Sequence, residues 1–208
     1  LGLKLLENEL AFDAFKVMNL VIFQAIAQNQ LVSWVKAGKE QRAFQAHLQQ
    51  NLPQWRLFQL AFILMNLPGL LVEDFEETDY EDELNYENEV VDLLFFPTGG
   101  GKTEAYLGLS AFTLALRRLR NPSINSSGVT VLMRYTLRLL TLDQLGRISA
   151  LICALEIERQ RREKLSQKPK FADKEKSLGV WPFEVGLWVG SSTTPNYLAS
   201  KKGKKSTD

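Results

Sequence analysis

The sequence predicts an α/β domain built on a parallel sheet and preceded by an all-helical N-terminal region. Three observations carry that expectation. Apolar residues recur at helical spacing over residues 1 to about 67. After residue 90, three short β-prone runs alternate with two long helical stripes, the pattern of a doubly wound fold. A glycine-rich turn joins the first run to the first stripe.

In the first region, Leu10, Phe15, Val17 to Ile22 and Ala25 fall on helical positions, with Gln and Asn filling the other face. Ala37-Gly38 and Leu52-Pro53 break the run, so three helices are expected over residues 1–72. The most apolar stretch, Leu57 to Val72, is interrupted by Gln59, Asn66 and Pro68-Gly69. It is too short to cross a bilayer, so a buried helix is expected and no membrane partner. Residues 73–89 are strongly acidic, with little to bury, and read as a linker.

The α/β region is assigned to residues 90–208. Val90 to Phe96 is a mostly apolar β-prone run ending at Pro97, which suits a strand covered on both faces. Lys102 to Arg120 reads as a helix with a stripe through Ala105, Leu109, Phe112, Leu116 and Leu119. Arg117, Arg118 and Arg120 favour its carbonyl end, and Asn121-Pro122 stops it. A second strand is expected over Gly128 to Met133, a second helix over Thr141 to Leu165, and a third strand over Phe183 to Val189.

The 208 residues carry a formal net charge of +1, so the whole chain does not advertise nucleic-acid binding. Arginine and lysine concentrate from Arg159 onward, which leaves room for a local basic surface. One cysteine, Cys153, and one histidine, His47, exclude a disulfide framework and a Cys/His metal site. A reducing, cytoplasmic compartment is expected, with Cys153 as a buried core thiol.

The chemistry lies in Pro97-Thr98-Gly99-Gly100-Gly101-Lys102-Thr103-Glu104. A phosphate-binding loop needs backbone N–H groups turned inward around a polyanion, in conformations that side chains obstruct. Consecutive glycines supply them. The helix that follows adds the partial positive charge of its N-terminus. Lys102 then reaches the β- and γ-phosphates of ATP, and the Thr103 hydroxyl ligates Mg²⁺. The general pattern has a glycine where this sequence has Phe96, which argues against a generic P-loop kinase or transporter ATPase.

Pro-Thr-Gly-x-Gly-Lys-Thr resembles instead the form used by superfamily 2 helicases. That resemblance extends to two further segments. Arg56 and Gln59 resemble the Arg-x-x-Gln element ahead of the loop, whose glutamine reads the adenine edge; otherwise they are polar residues on a buried helix. Arg134, Thr136 and Arg138 resemble helicase motif Ia, which holds the nucleic-acid backbone. Thr141-x-x-Gln144 beside them also reads as an ordinary capping box. Gly190 and Ser191 stand where helicases carry a small-residue loop against the bound strand, and also read as a plain turn.

WRLFQLAFILMNLPGL, VVDLLFFPTGGGKTEAYLGLSAF and GVTVLMRYTLRLLTLDQ together resemble the helicase of the DISARM bacterial anti-phage system, over roughly residues 53–196. The resemblance implies a large ATP-dependent DNA helicase or translocase with two RecA-like lobes, acting in phage defence beside a partner subunit. Residues 90–208 are then the first RecA-like lobe, ending before Walker B, because no Asp-Glu-x-His-like motif follows residue 144. Such a chain is expected to bind nucleotide and not to hydrolyse it. Two other readings stand beside this one: a P-loop ATPase switch, and a non-catalytic scaffold, either acting on protein partners.

Overall fold

The computed structural model describes residues 1–71, 91–95, 99–134, 138–167 and 175–188, the side chains of 138–142 excepted. Among the described residues every regular element is helical. The order is α1 (Gly2–Leu5), α2 (Glu9–Lys36), α3 (Gln41–Gln50), α4 (Leu57–Leu71), α5 (Lys102–Arg120), a 3₁₀ turn (Ile124–Ser126) and α6 (Arg138–Ser166).

This overturns the predicted parallel sheet and with it the RecA-like α/β assignment. The described parts of the three β-prone runs, 91–95, 128–133 and 183–188, are non-helical and form no strand. Val91 is 92% exposed and Trp188 97% exposed. The physical reason is that helices satisfy their backbone locally, whereas a strand needs a ladder partner and two packed faces brought from elsewhere. Here the apolar faces of the helices cover one another, and these runs are left largely outside the core.

Helix α2 is the spine. Asn8 caps it, its side chain accepting from the N–H groups of Leu10 (2.9 Å) and Ala11 (3.1 Å). Ala37 and Gly38, the latter at φ 74°, follow its last turn. Ala11, Ala14, Val17, Met18, Val21, Ile22 and Ala25 form its buried stripe, which packs on α5 and α6. By length and composition α2 is apolar enough to cross a membrane, yet 44% of its most apolar window is buried inside the chain.

Phe112, Ala115 and Leu116 of α5, Ile63, Leu67 and Leu71 of α4, and Leu151 and Leu155 of α6 complete one continuous core. Burial of the whole Phe112 side chain contributes roughly 2–3 kcal/mol of transfer free energy. Pro68 sits inside α4, where its ring removes the hydrogen bond otherwise made to the carbonyl of Leu64. Gly2 of α1 closes on that carbonyl so tightly that a Cβ would stand 2.1 Å from the oxygen.

The three arginines at the end of α5 do more than complement its carbonyl end. Arg117 donates to the Val129 and Ser127 carbonyls, Arg118 to Ser126 and the Pro182 carbonyl, and Arg120 to the Leu70 carbonyl. Arg118 is itself buried, against the ring of Phe183. These bonds fasten α4 and both extended segments to one helix end.

The basic surface expected from Arg159 onward is not what the described arginines form. Arg159, Arg161 and Arg162 are tied into a carboxylate network. Arg162 contacts Asp13 of α2 at 2.7 Å and Glu158 at 2.9 Å. Arg161 pairs with Glu158 and Glu175, and Arg159 with Glu156 and Glu163. The lysines of 168–174 and 189–208 lie outside the described residues. Cys153 corrects a second expectation, being exposed. Leu151, Ala154, Leu155, Glu158 and Arg162 mark the buried stripe of α6, and position 153 falls off it.

Hydrogen bonds from Arg159 hold the Glu156 carboxyl at about 2 against the ordinary 4.5; burial opposes the shift, and Gln160 and the Phe183 N–H assist it. Asp13 and Glu158 are pushed up by burial and pulled further down by their arginines. A depressed carboxylate stabilises the fold fully above its unfolded pKa and loses that contribution as pH falls toward its folded one. The melting temperature is therefore expected to fall as pH drops from about 4.5 toward about 2. Replacing Glu156 with Gln should flatten that slope; an equally steep profile in the variant would refute the assignment.

A candidate nucleotide-binding loop

Residues 99–104 wrap the start of α5. Gly99 has φ 79° and Gly101 φ 93°, the left-handed region in which a Cβ is strained. Gly101 is the N-cap of α5 and, as a glycine, makes no side-chain cap hydrogen bond to the first turn, which opens with Lys102 and Thr103. Pro97 and Thr98 lie outside the described residues.

Helix α4 braces this turn from one side. Arg56 donates to the Gly100 carbonyl at 2.7 Å, and Gln59 donates through Nε2 to the Gly101 carbonyl at 2.7 Å. The Gln59 Oε1 accepts from the Arg56 N–H at 2.8 Å, so both ends of its amide are used inside the chain. The residues expected from the Arg-x-x-Gln resemblance thus do meet the loop, but through its carbonyls. A Cβ on residue 101 would stand 2.8 Å from Gln59 Nε2.

Trp55 fixes where that brace stands. Its Nε1 donates to Asn19 of α2 at 2.7 Å, and its ring covers Gly108 of α5, where a Cβ would be 2.8 Å away. Helix α6 holds the loop from another direction. Gln144 Nε2 lies 3.4 Å from the Thr103 hydroxyl, and Arg147 bridges Glu104 and Asp143, both at 3.1 Å. An open cleft of about 760 Å³ adjoins, with Glu104, Asp143 and Arg147 on one wall and Gln30, Trp34 and His47 among its other lining residues.

The capping-box alternative for Thr141-x-x-Gln144 fails, since α6 begins at Arg138 and Gln144 turns to Thr103. Among the residues expected along a nucleic acid, Arg134 is exposed, and Arg138 opens α6. Thr136, Gly190 and Ser191 lie outside the described residues. Asn19, Trp55, Gly108 and Arg147 are site residues that sequence reasoning misses. The one available signal is Gly108, a glycine in the middle of a helix, which marks a close approach.

No protein-family model matches the chain, and no solved structure matches it. The DISARM protein DrmA of Bacillus paralicheniformis is 42% identical to it over 204 residues. The chain is DrmA-like. The likeness covers 95% of this chain and 16% of that relative, so the DrmA-like chain spans a small part of the length of the protein it matches. The glycine loop, both of its braces and the α2–α5 core all lie in this DrmA-like sequence.

Proposed function

We propose that this DrmA-like chain is part of an anti-phage defence protein and binds the phosphates of ATP, with Mg²⁺, at Gly99–Glu104. The observation that carries the reading is Gly101. It stands at φ 93° as the N-cap of a 19-residue helix that starts Lys102-Thr103, and as a glycine it brings no side-chain acceptor of its own to the first turn. A helix N-terminus favours a polyanion there. Two features fit the group: the positive φ of Gly101 at the start of α5, and a buried unpartnered amide oxygen on Gln144 beside Thr103.

In this reading Lys102 neutralises the β- and γ-phosphates and Thr103 Oγ1 is the protein ligand of Mg²⁺. Arg56 and Gln59 hold the loop carbonyls away from the anion, which prevents repulsion. Bound Mg²⁺ supplies charge neutralisation across the phosphate oxygens. ATP-driven movement on DNA, with Arg134, Thr136, Arg138, Gly190 and Ser191 along the strand, belongs to the reading of the whole protein, as do a cytoplasmic location and a partner subunit. The helical architecture of the described residues favours a second reading, a scaffold for protein partners that binds no nucleotide.

A fluorescent ATP analogue titrated into the 208-residue chain separates the two. Lys102→Ala is expected to weaken binding roughly 10- to 100-fold, the equivalent of about 1.5–3 kcal/mol of charged hydrogen bonding. Equal affinity in variant and parent removes the role given to Lys102 and the loop, and no binding by either supports the scaffold.

A further inference from the structure

Gln144 stands between the first turns of α6 and the loop. It is 6% exposed, and its Nε2 is within hydrogen-bond reach of Thr103 Oγ1 at 3.4 Å. Its Oε1 is buried with no hydrogen-bond partner among the described residues. Gln24 and Gln30 of α2 carry similar orphan oxygens, but among the described residues neither bonds to the loop. A leucine or methionine would fill the same space without burying an unpaired acceptor. An amide whose two ends differ in this way, one on Thr103 and one waiting, fits a donor that arrives with a ligand.

Mg²⁺ dehydrates reluctantly and keeps several waters when it binds beside phosphates. Those waters are polarised donors. From this we infer that Gln144 is a positioning residue for the nucleotide's hydrated Mg²⁺. Its Nε2 orients the Thr103 hydroxyl, and its Oε1 accepts a hydrogen bond from a water of the ion. The inference rests on the nucleotide reading above. It makes α6 a third support of the site, and one that registers the metal and not the phosphate chain.

The test compares the affinity of the 208-residue chain for a fluorescent ATP analogue in excess Mg²⁺ and in EDTA. In Gln144→Leu the gain in affinity conferred by Mg²⁺ should shrink about tenfold, while affinity in EDTA stays near the parent value. A merely structural role would lower both affinities together. Gln144→Glu keeps an acceptor in place and should retain the gain. A full gain in Gln144→Leu, or equal losses with and without the ion, overturns the inference. A gain smaller in Gln144→Glu than in Gln144→Leu also overturns it, because the amide nitrogen would then face a phosphate. Gln144→Met serves as the second apolar variant if Gln144→Leu does not fold, as judged by circular dichroism. Indifference of the parent affinity to Lys102→Ala, or no binding by the parent, removes the nucleotide reading itself and this inference with it.

Discussion

Arg162→Ala should lower the folding stability by about 3–5 kcal/mol, read as a large fall in the urea midpoint. The guanidinium is 4% exposed and holds Asp13, on the other long helix, through bonds of 2.7 and 3.1 Å. It also holds Glu158, 1% exposed, at 2.9 Å, and the Lys176 carbonyl at 2.9 Å. Truncation leaves two buried carboxylates with too little positive charge near them. Lys16 remains near Asp13 at 3.3 Å, but its own side chain is more than half exposed, so solvent weakens that pair. Arg161 remains with Glu158. The Asp13→Leu, Arg162→Met double variant should recover much of the loss, because it removes a buried charge together with its partner. A loss below about 1 kcal/mol for Arg162→Ala would mean that the network is solvated in practice.

Gly101→Val should reduce nucleotide affinity by about 100-fold or more and lower stability by about 2–4 kcal/mol. Two effects add. A β-branched residue is a poor occupant of φ 93°, and its Cβ would meet Gln59 Nε2 at 2.8 Å. Gln59 would have to leave the Gly101 carbonyl, turning that oxygen loose beside the proposed phosphate site. Gly38 supplies the control, since it has φ 74° and a Cβ there would meet nothing within 4 Å. Gly38→Ala should therefore show the conformational strain alone, about 1–2 kcal/mol, with nucleotide affinity unchanged. Wild-type affinity in Gly101→Val would show that the turn does not face the ligand.

How much of this was legible in the sequence depends on how local each signal is. The helix over Lys102–Arg120 was readable to the residue, because its stripe, its preceding glycines and its Asn121-Pro122 stop all lie within the segment. The breaks at Gly38 and Pro53 were readable for the same reason. Helix α6 begins three residues before Thr141, a difference at the frayed end where boundaries are least determined. The β-prone runs misled because strand composition says what a segment tolerates, and pairing must come from elsewhere in the chain.

At the loop, the glycines were legible as a backbone requirement, and Gly99 and Gly101 adopt positive φ. The meeting of Arg56 and Gln59 with residues more than forty positions away was suggested by resemblance alone. The arginines of α6 looked like a solvated basic face, since nothing in the spacing of Glu158, Arg161 and Arg162 reveals that Asp13 lies across from them. Cys153, flanked by Ile152 and Ala154, looked buried by its neighbours in sequence, whereas its angular position on the helix decides.

Trp55 gives the arrangement a consequence of its own. It adjoins Arg56 in sequence, hangs from Asn19 and lies against Gly108, so the residue that steadies the loop is anchored at two points of the helical bundle. The loop therefore has no geometry independent of that bundle. Whatever slides α2 along α5 also drags the clasp at Gly100, so the shape of the loop is a readout of how those two packed helices are seated.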